Sequence, residues 1–201
     1  MPKTIKNVYN EALTFEKLME AHKKSQTGKT TRKNVIRFNL KQEEYIMWLY
    51  ERLKTKTYKH GGYTSFYVTE PKLRKVEASA YIDRVVHRWV VDNFLMNTFV
   101  PQFIDTTYAC IKGKGMHRAA IDVQKGMKKC KKMYGEYYIL KMDIAKYFAS
   151  INKEKLYEII ERKIKDEDVL WLLKEIIYSK KDKVGIPIRK SNKSNLCKPI
   201  L

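Results

Sequence analysis

The segment 137–151 constrains the fold of this 201-residue chain more than any other stretch. Apolar and polar side chains alternate across residues 138–142, which is the period of a half-buried β-strand. The alternation stops at Asp143, so the sequence predicts an acid at the end of a strand. A carboxylate in that place suits a divalent metal, because Mg²⁺ prefers oxygen ligands. An Asp that ends a strand is also a common turn or cap residue, and that alternative stays open.

The balance of charge indicates the class of partner. The chain has 42 Lys and Arg against 22 Asp and Glu, a formal net charge of +20, which favours a polyanion such as nucleic acid. The sequence shows no long apolar segment, lipidation motif or signal peptide, so we expect a cytoplasmic protein without membrane contact. The cysteines at positions 110, 130 and 197 have neither metal nor disulfide spacing.

Periodicity and cap residues predict most of the elements. Two short runs, 65–68 and 74–76, flank a proline-containing turn and predict a β-hairpin. Asn152 and Asp166 are predicted N-caps of two helices that pack against the sheet. The other main helices predicted by apolar residues at intervals of three and four are 39–54, with Asn39 as its N-cap, 81–99 and 116–133. Within the second of these, Asp83 is interpreted as structural and His87 as a helix-face residue.

Three separated segments resemble the motifs of one enzyme family. Residues 141–151, K-M-D-I-A-K-Y-F-A-S-I, resemble motif A of reverse transcriptases, in which an aspartate opens the block and an aromatic pair and Ser-Ile follow. Residues 70–76 together with 81–87 resemble the fingers motif, and residues 108–117 resemble the motif after it. Their order is the order of the family. The pattern is most similar to bacterial enzymes of the diversity-generating retroelement and group II intron type.

The resemblance implies an α+β fold, the fingers and partial palm of a right-hand polymerase, with helices packed on a small antiparallel sheet. Residues 1–60 would form an N-terminal basic helical extension, and residues 61–135 would form the fingers. Residues 136–188 would be a partial palm that contains motif A, and residues 189–201 would be a frameshifted tail.

The resemblance also implies the chemistry of individual residues. Asp143, assisted by the Ile144 carbonyl, would be the catalytic metal ligand, and Phe148 would be the gate against a 2′-hydroxyl. Two-metal phosphoryl transfer needs further carboxylates, and the Tyr-x-Asp-Asp box that supplies them in the family is absent here. We therefore expect Mg²⁺ to be held weakly and this chain to lack polymerase activity by itself. The nucleotide-binding residues implied by the resemblance are Lys72, Arg74, Tyr147 and Phe148.

A basic helix and the turn before it are candidates for nucleic-acid binding. Gly113 and Gly115 bracket a lysine, so backbone N–H groups and the helix N-terminus can approach phosphate. The helix that follows carries a run of lysines on one side, which is either a solvated face or a surface that tracks RNA phosphates. The candidate residues are Lys112, Lys114, Arg118, Lys125, Lys128 and Lys129.

Three functions are consistent with these patterns. The first is a fragment of an RNA-directed DNA polymerase, with RNA template, primer, deoxynucleoside triphosphates and an accessory protein as partners. The second is a non-catalytic, maturase-like RNA-binding module. The third is a basic protein that binds an acidic partner. Steep salt dependence of RNA affinity favours the second, whereas a flat salt response favours the third.

The end of the sequence departs from the family in mid-motif. Residues 183–188 resemble the start of motif B, and then the pattern is lost. Codons exist for residues 189–201 that, read one base later, encode G-N-Q-T-S-Q-I-F-A-N-Q-F, which continues motif B. We expect a frameshift there, so that a single-base change in the gene just after the codon for Ile188 restores this reading. DNA sequencing checks it, and the interpretation is wrong if no such change exists.

Overall fold

The fold is α+β, which confirms the predicted class: the described residues form many helices and one two-stranded antiparallel sheet. The computed structural model describes residues 4–69, 73–109, 111–180, 182 and 184–186. None of the described helices combines the length and apolar composition needed to cross a membrane. The helices and strands are α1 Tyr9–Ala12, α2 Phe15–Gln26, α3 Lys33–Asn39, α4 Gln42–Lys54, β1 Tyr63–Val68, β2 Arg74–Ser79, α5 Tyr81–Val90, α6 Met96–Phe99, α7 Met116–Tyr134, α8 Tyr147–Ser150, α9 Lys153–Lys163 and α10 Glu167–Ile177.

The core is one cluster of apolar side chains that the helices supply. Leu18 of α2, Leu49 of α4, Trp89 of α5 and Leu172 of α10 are all fully buried within it. Each of these helices repeats apolar residues at intervals of three and four, so each buries one face and exposes the other. The helices α9 and α10, predicted to pack against a sheet, add their apolar residues to this helical cluster.

Asp166 joins the first residues of the described chain to α10. Its Oδ1 accepts hydrogen bonds from the backbone N–H groups of Asp168 and Val169, which confirms the predicted N-cap. Its Oδ2 accepts from the N–H groups of Val8 and Tyr9, at 2.7 and 3.0 Å. Both oxygens of a buried carboxylate are therefore satisfied, as burial of a charge requires.

Of the other two predicted caps, one is confirmed and one is wrong. The Asn152 side chain accepts a hydrogen bond from the Lys155 N–H at 3.0 Å and begins α9. By contrast, α4 begins at Gln42, because the residues up to Asn39 form the separate helix α3. Burial of Phe38 in the core stabilises that short helix, so Asn39 ends one helix and does not cap the next.

The predicted hairpin is confirmed, with strands longer than the sequence pattern indicates. β1 pairs with β2 in antiparallel register, with Tyr63 opposite Ser79 and Val68 opposite Arg74. Residues 70–72 of the connecting turn lie outside the described residues.

A buried polar cluster attaches the segment that precedes the hairpin to α5. Asp83 is buried and accepts hydrogen bonds from the Tyr58 hydroxyl at 2.7 Å and the Gly61 N–H at 3.2 Å. A Cβ on Gly61 would lie 2.8 Å from Asp83 Oδ2, so only glycine allows this approach. His87 is also buried, and its Nε2 lies 3.0 Å from His60 Nε2. The interpretation of Asp83 as structural is thus confirmed.

The predicted helix 81–99 is confirmed, with one irregular turn. α5 continues through a π-helical turn, Val91–Leu95, into α6 without a break. Side chains on this stretch bond to carbonyl groups of the preceding turn, as the Thr98 hydroxyl does to Phe94 O at 2.6 Å.

The predicted strand 138–142 is wrong. Residues 136–144 form neither helix nor strand, and their side chains are exposed, Tyr138 by 94% and Leu140 by 79%. A half-buried strand is stabilised by a neighbouring strand and by burial of one face. Among the described residues, β1 and β2 pair only with each other, so this segment has neither source of stabilisation.

Because of the buried tyrosines, the free energy of unfolding should depend on pH in the alkaline range. Burial raises the pKa of Tyr81 to about 12 and raises the pKa of Tyr58 further, with the Asp83 carboxylate adding to it. The folded protein keeps these protons at a pH where the unfolded chain, with an ordinary pKa of about 10, releases them. Their stabilising contribution is therefore complete below about pH 10 and is lost as the pH rises towards the folded-state pKa.

We expect the free energy of unfolding, measured by urea denaturation, to fall above about pH 10. The fall should be less steep in Tyr81→Phe, which removes one of these protons. The control is Tyr138→Phe, whose ring is exposed and which should keep the pH dependence of the unchanged protein. An equal slope in Tyr81→Phe would contradict the assignment.

Candidate functional site

Three segments that are distant in sequence meet at one cavity of about 290 Å³. β2 supplies Lys75 and Glu77, α8 supplies Ala149, and the segment 184–186 supplies Gly185. Lys75, Ala149 and Gly185 fall in the stretches of sequence that resemble the fingers motif, motif A and motif B, whereas Glu77 lies just after the first of them. The turn after α10 completes the lining with Lys180 and Asp182.

Backbone contacts hold the segment 184–186 against α8. The Ile186 N–H donates to Phe148 O and the Gly185 N–H donates to Ile151 O, each at 2.8 Å. Gly185 has φ of +90°, and a Cβ on it would lie 3.0 Å from Ala149 O. Glycine is required here both for the left-handed backbone conformation and for the close approach. This wall of the cavity is therefore held in place by backbone contacts alone, and no charged side chain takes part.

Charged side chains line the rest of the cavity in pairs. Lys180 Nζ lies 2.8 Å from Asp182 Oδ2 and 3.1 Å from Glu77 Oε2. Hydrogen bonds to Asp182 and Glu77 raise the pKa of Lys180, and the Lys180 ammonium lowers the pKa of Asp182. Lys75 Nζ lies 3.8 Å from Glu77 Oε1, and its side chain is about half exposed. The four formal charges sum to zero, and Lys75 is the more exposed of the two cations.

Asp143 and Ile144 lie in the exposed, irregular segment before α8. Asp143 Oδ1 accepts a hydrogen bond from the Ile144 N–H at 3.0 Å, a local contact typical of a turn residue. Within the described part of the chain, no three acidic, His or Cys side chains are grouped as metal ligands. One carboxylate and one carbonyl do not make a two-metal site, so no reaction step through Mg²⁺ follows from these residues.

The aromatic pair of the segment 141–151, Tyr147 and Phe148, lies on α8. The Tyr147 and Phe148 rings meet edge to face, with centroids 5.2 Å apart. Tyr147 is exposed by 49% and Phe148 is half-buried. α8 follows Lys146, which has a left-handed backbone with φ of 52°. The Phe148 carbonyl accepts the hydrogen bond from the Ile186 N–H, whereas the positions of Lys72 and of the Arg74 side chain lie outside what the structure describes.

The predicted nucleic-acid-binding residues divide into two groups. Two of them contact the protein itself: Lys114 Nζ donates to Asp105 O at 2.6 Å, and Arg118 Nε pairs with Asp122 at 2.9 Å. The others are exposed, and none takes part in the ion pairs found among the described residues. These exposed residues are Lys112, Lys125, Lys128 and Lys129.

Lys125, Lys128 and Lys129 lie on α7, which confirms the predicted helix 116–133. No residue of α7 is buried, and Gly135 ends the helix with φ of 77°. Lys125, Lys128 and Lys129 are three and four residues apart, so they share one helix face. That face is open to a large ligand.

Sequence reasoning missed four residues of the cavity, namely Lys75, Glu77, Lys180 and Asp182. They belong to a chain with 42 basic and 22 acidic side chains, and only Lys75 lies in a stretch that resembles a family motif. Only the meeting of β2 with the turn after α10 separates them from other surface charges.

Comparison of the sequence with models of known protein families and with curated proteins finds no match. The resemblance to reverse transcriptases therefore rests on the motifs and their order.

We expect Gly185→Ala to lower the free energy of unfolding by roughly 1–3 kcal/mol, because the new Cβ is strained at this φ and crowds Ala149 O. The measurement is urea denaturation of the two proteins. The control is Gly126→Ala on α7, where a Cβ meets nothing within 4 Å and where alanine should stabilise the helix by up to about 1 kcal/mol. Unchanged stability of Gly185→Ala would contradict the close packing of 184–186 on α8.

Proposed function

We propose that this chain is the fingers and the first part of the palm of a reverse transcriptase, and that it binds an RNA template. The observation that carries the proposal is the cavity lined by β2, α8 and the segment 184–186. These segments overlap three stretches of sequence that resemble motifs of the family. Their contact around one concave site supports a shared role in binding a nucleotide.

The lysine face of α7 supports the RNA-binding part of the proposal. Lys125, Lys128 and Lys129 are exposed on one side of the helix, in a chain of net charge +20. Lysines on one helix face attract the phosphate backbone and release its counterions, which is a sequence-independent contribution to affinity. Template binding of this kind does not require the metal site.

A second candidate function, a non-catalytic RNA-binding module, is favoured by one observation. Asp143 has no neighbouring carboxylates that group with it as metal ligands among the described residues. Both functions use the surface of α7, and they differ only in whether nucleotides are joined.

Measurement of RNA binding tests the proposal that the lysine face of α7 binds template. We expect the triple variant Lys125→Gln, Lys128→Gln, Lys129→Gln to bind a single-stranded RNA oligonucleotide more weakly. Each phosphate contact on single-stranded RNA contributes about 0.7 to the slope of log affinity against log salt concentration. The loss of three contacts should therefore reduce the magnitude of the slope by about 2. Fluorescence anisotropy at several salt concentrations measures both quantities.

The matched control removes the same charge from three separate helices. Lys23→Gln, Lys54→Gln and Lys155→Gln change exposed lysines of α2, α4 and α9, and this triple variant should keep most of the affinity and of the slope. Equal losses in the two triple variants would show that net charge, and not the α7 face, determines binding.

Primer extension tests the polymerase part. The 201-residue chain should give no product from a primed RNA template with Mg²⁺ and deoxynucleoside triphosphates. A version with motif B and the following reading frame restored should extend the primer. Asp143→Asn in the restored enzyme should abolish extension, because a metal-ligand carboxylate is lost. Full activity of that variant would refute the metal role of Asp143.

A further inference from the structure

The base of the hairpin is attached to the C-terminal end of α10 by side chains far apart in sequence. Lys180 Nζ contacts both carboxylate oxygens of Glu77, at 3.1 and 3.2 Å. The Tyr63 hydroxyl lies 2.7 Å from Ser179 Oγ. One contact therefore holds β2 and the other holds β1, so the turn after α10 touches both strands.

Lys180 is itself held at its backbone. The buried ammonium of Lys153, the first residue of α9, donates a hydrogen bond to Lys180 O at 2.7 Å. A buried ammonium needs such partners, because desolvation otherwise favours its neutral form. Lys180 thus connects α9, through its carbonyl, to β2, through its side chain. Of the two partners in the ion pair, Glu77 is the more enclosed, with a side-chain exposure of 13%.

The same ion pair controls the charge of the cavity. Glu77 alone would repel a phosphate, and pairing with Lys180 compensates it. Lys75 lies two residues before Glu77 on the same strand, so its side chain is on the same side of β2. The orientation of β2 therefore decides whether the Lys75 ammonium is presented to the cavity.

We propose that Lys180 is a positioning residue that fixes β2 through Glu77, and so holds Lys75 at the cavity to contact the phosphates of a nucleoside triphosphate. The identity of the ligand rests on the proposed function, whereas the placement of the hairpin does not. Loss of either Glu77 or Lys180 should therefore have the same effect on the position of β2, even though the two substitutions change the charge of the cavity in opposite directions.

Two variants separate positioning from simple charge. Lys180→Met makes the cavity more negative and Glu77→Gln makes it more positive, yet both break the same ion pair. If Lys180 positions the hairpin, both variants should speed hydrogen exchange in strands β1 and β2, by roughly fivefold for a partly exposed pair. Lys180→Arg keeps the pair and should restore slow exchange. Lys155→Met breaks an exposed pair within α9 and should leave exchange in the hairpin unchanged.

Hydrogen exchange measured by mass spectrometry on the full chain gives the first readout, and binding of dATP with Mg²⁺ gives the second. Both Lys180→Met and Glu77→Gln should weaken dATP binding, by a similar factor. Shifts of affinity in opposite directions would show a purely electrostatic role and overturn the proposal, as would unchanged exchange in both variants. If exchange responds as expected while no form of the chain binds dATP, the positioning role stands and the proposed nucleotide site fails.

Discussion

The hydrogen bonds of the buried Asp83 carboxylate are the constraint on which the rest of the site depends. A two-stranded hairpin is marginally stable in water by itself, so its position must come from contacts with the helices. Asp83 provides them by accepting hydrogen bonds from the Tyr58 hydroxyl and the Gly61 N–H, which fixes the entrance to β1 on α5. A buried carboxylate without such partners would be strongly unfavourable. The polar cluster therefore determines where the hairpin begins, and hence where β2 meets the turn after α10.

The candidate cavity combines two kinds of contact that respond differently to solution conditions. Backbone hydrogen bonds and the close approach of Gly185 to Ala149 hold the segment 184–186. The opposite contact, between β2 and the turn after α10, includes the ion pair of Glu77 with Lys180. Partly exposed ion pairs are weakened by salt, whereas tightly packed backbone is not.

The region from α7 to residue 144 shows how local pattern and tertiary context can disagree. α7 has the length and the apolar spacing of an ordinary packed helix, but none of its residues is buried. Residues 138–142 alternate like a strand and remain exposed. The alternation of apolar and polar residues predicts which face of a strand would be buried. Burial of that face needs another element to pack against it, and none of the described elements does so. The basic face of α7 is consequently open on a helix that contributes nothing to the core.

The sequence by itself determined the features that depend on neighbouring residues. The helix 81–99, the hairpin and the caps at Asn152 and Asp166 follow from periodicity, turn residues and side chains that bond to the backbone within a few positions. The tertiary structure alone decided the separation of α3 from α4, the exposure of residues 138–142, and the meeting of Glu77 with Lys180. Those outcomes depend on groups tens of residues apart along the chain, whose distances no local pattern encodes. The physical reason is that apolar spacing specifies which side of an element is buried, whereas the partner that buries it is chosen by packing of the whole chain.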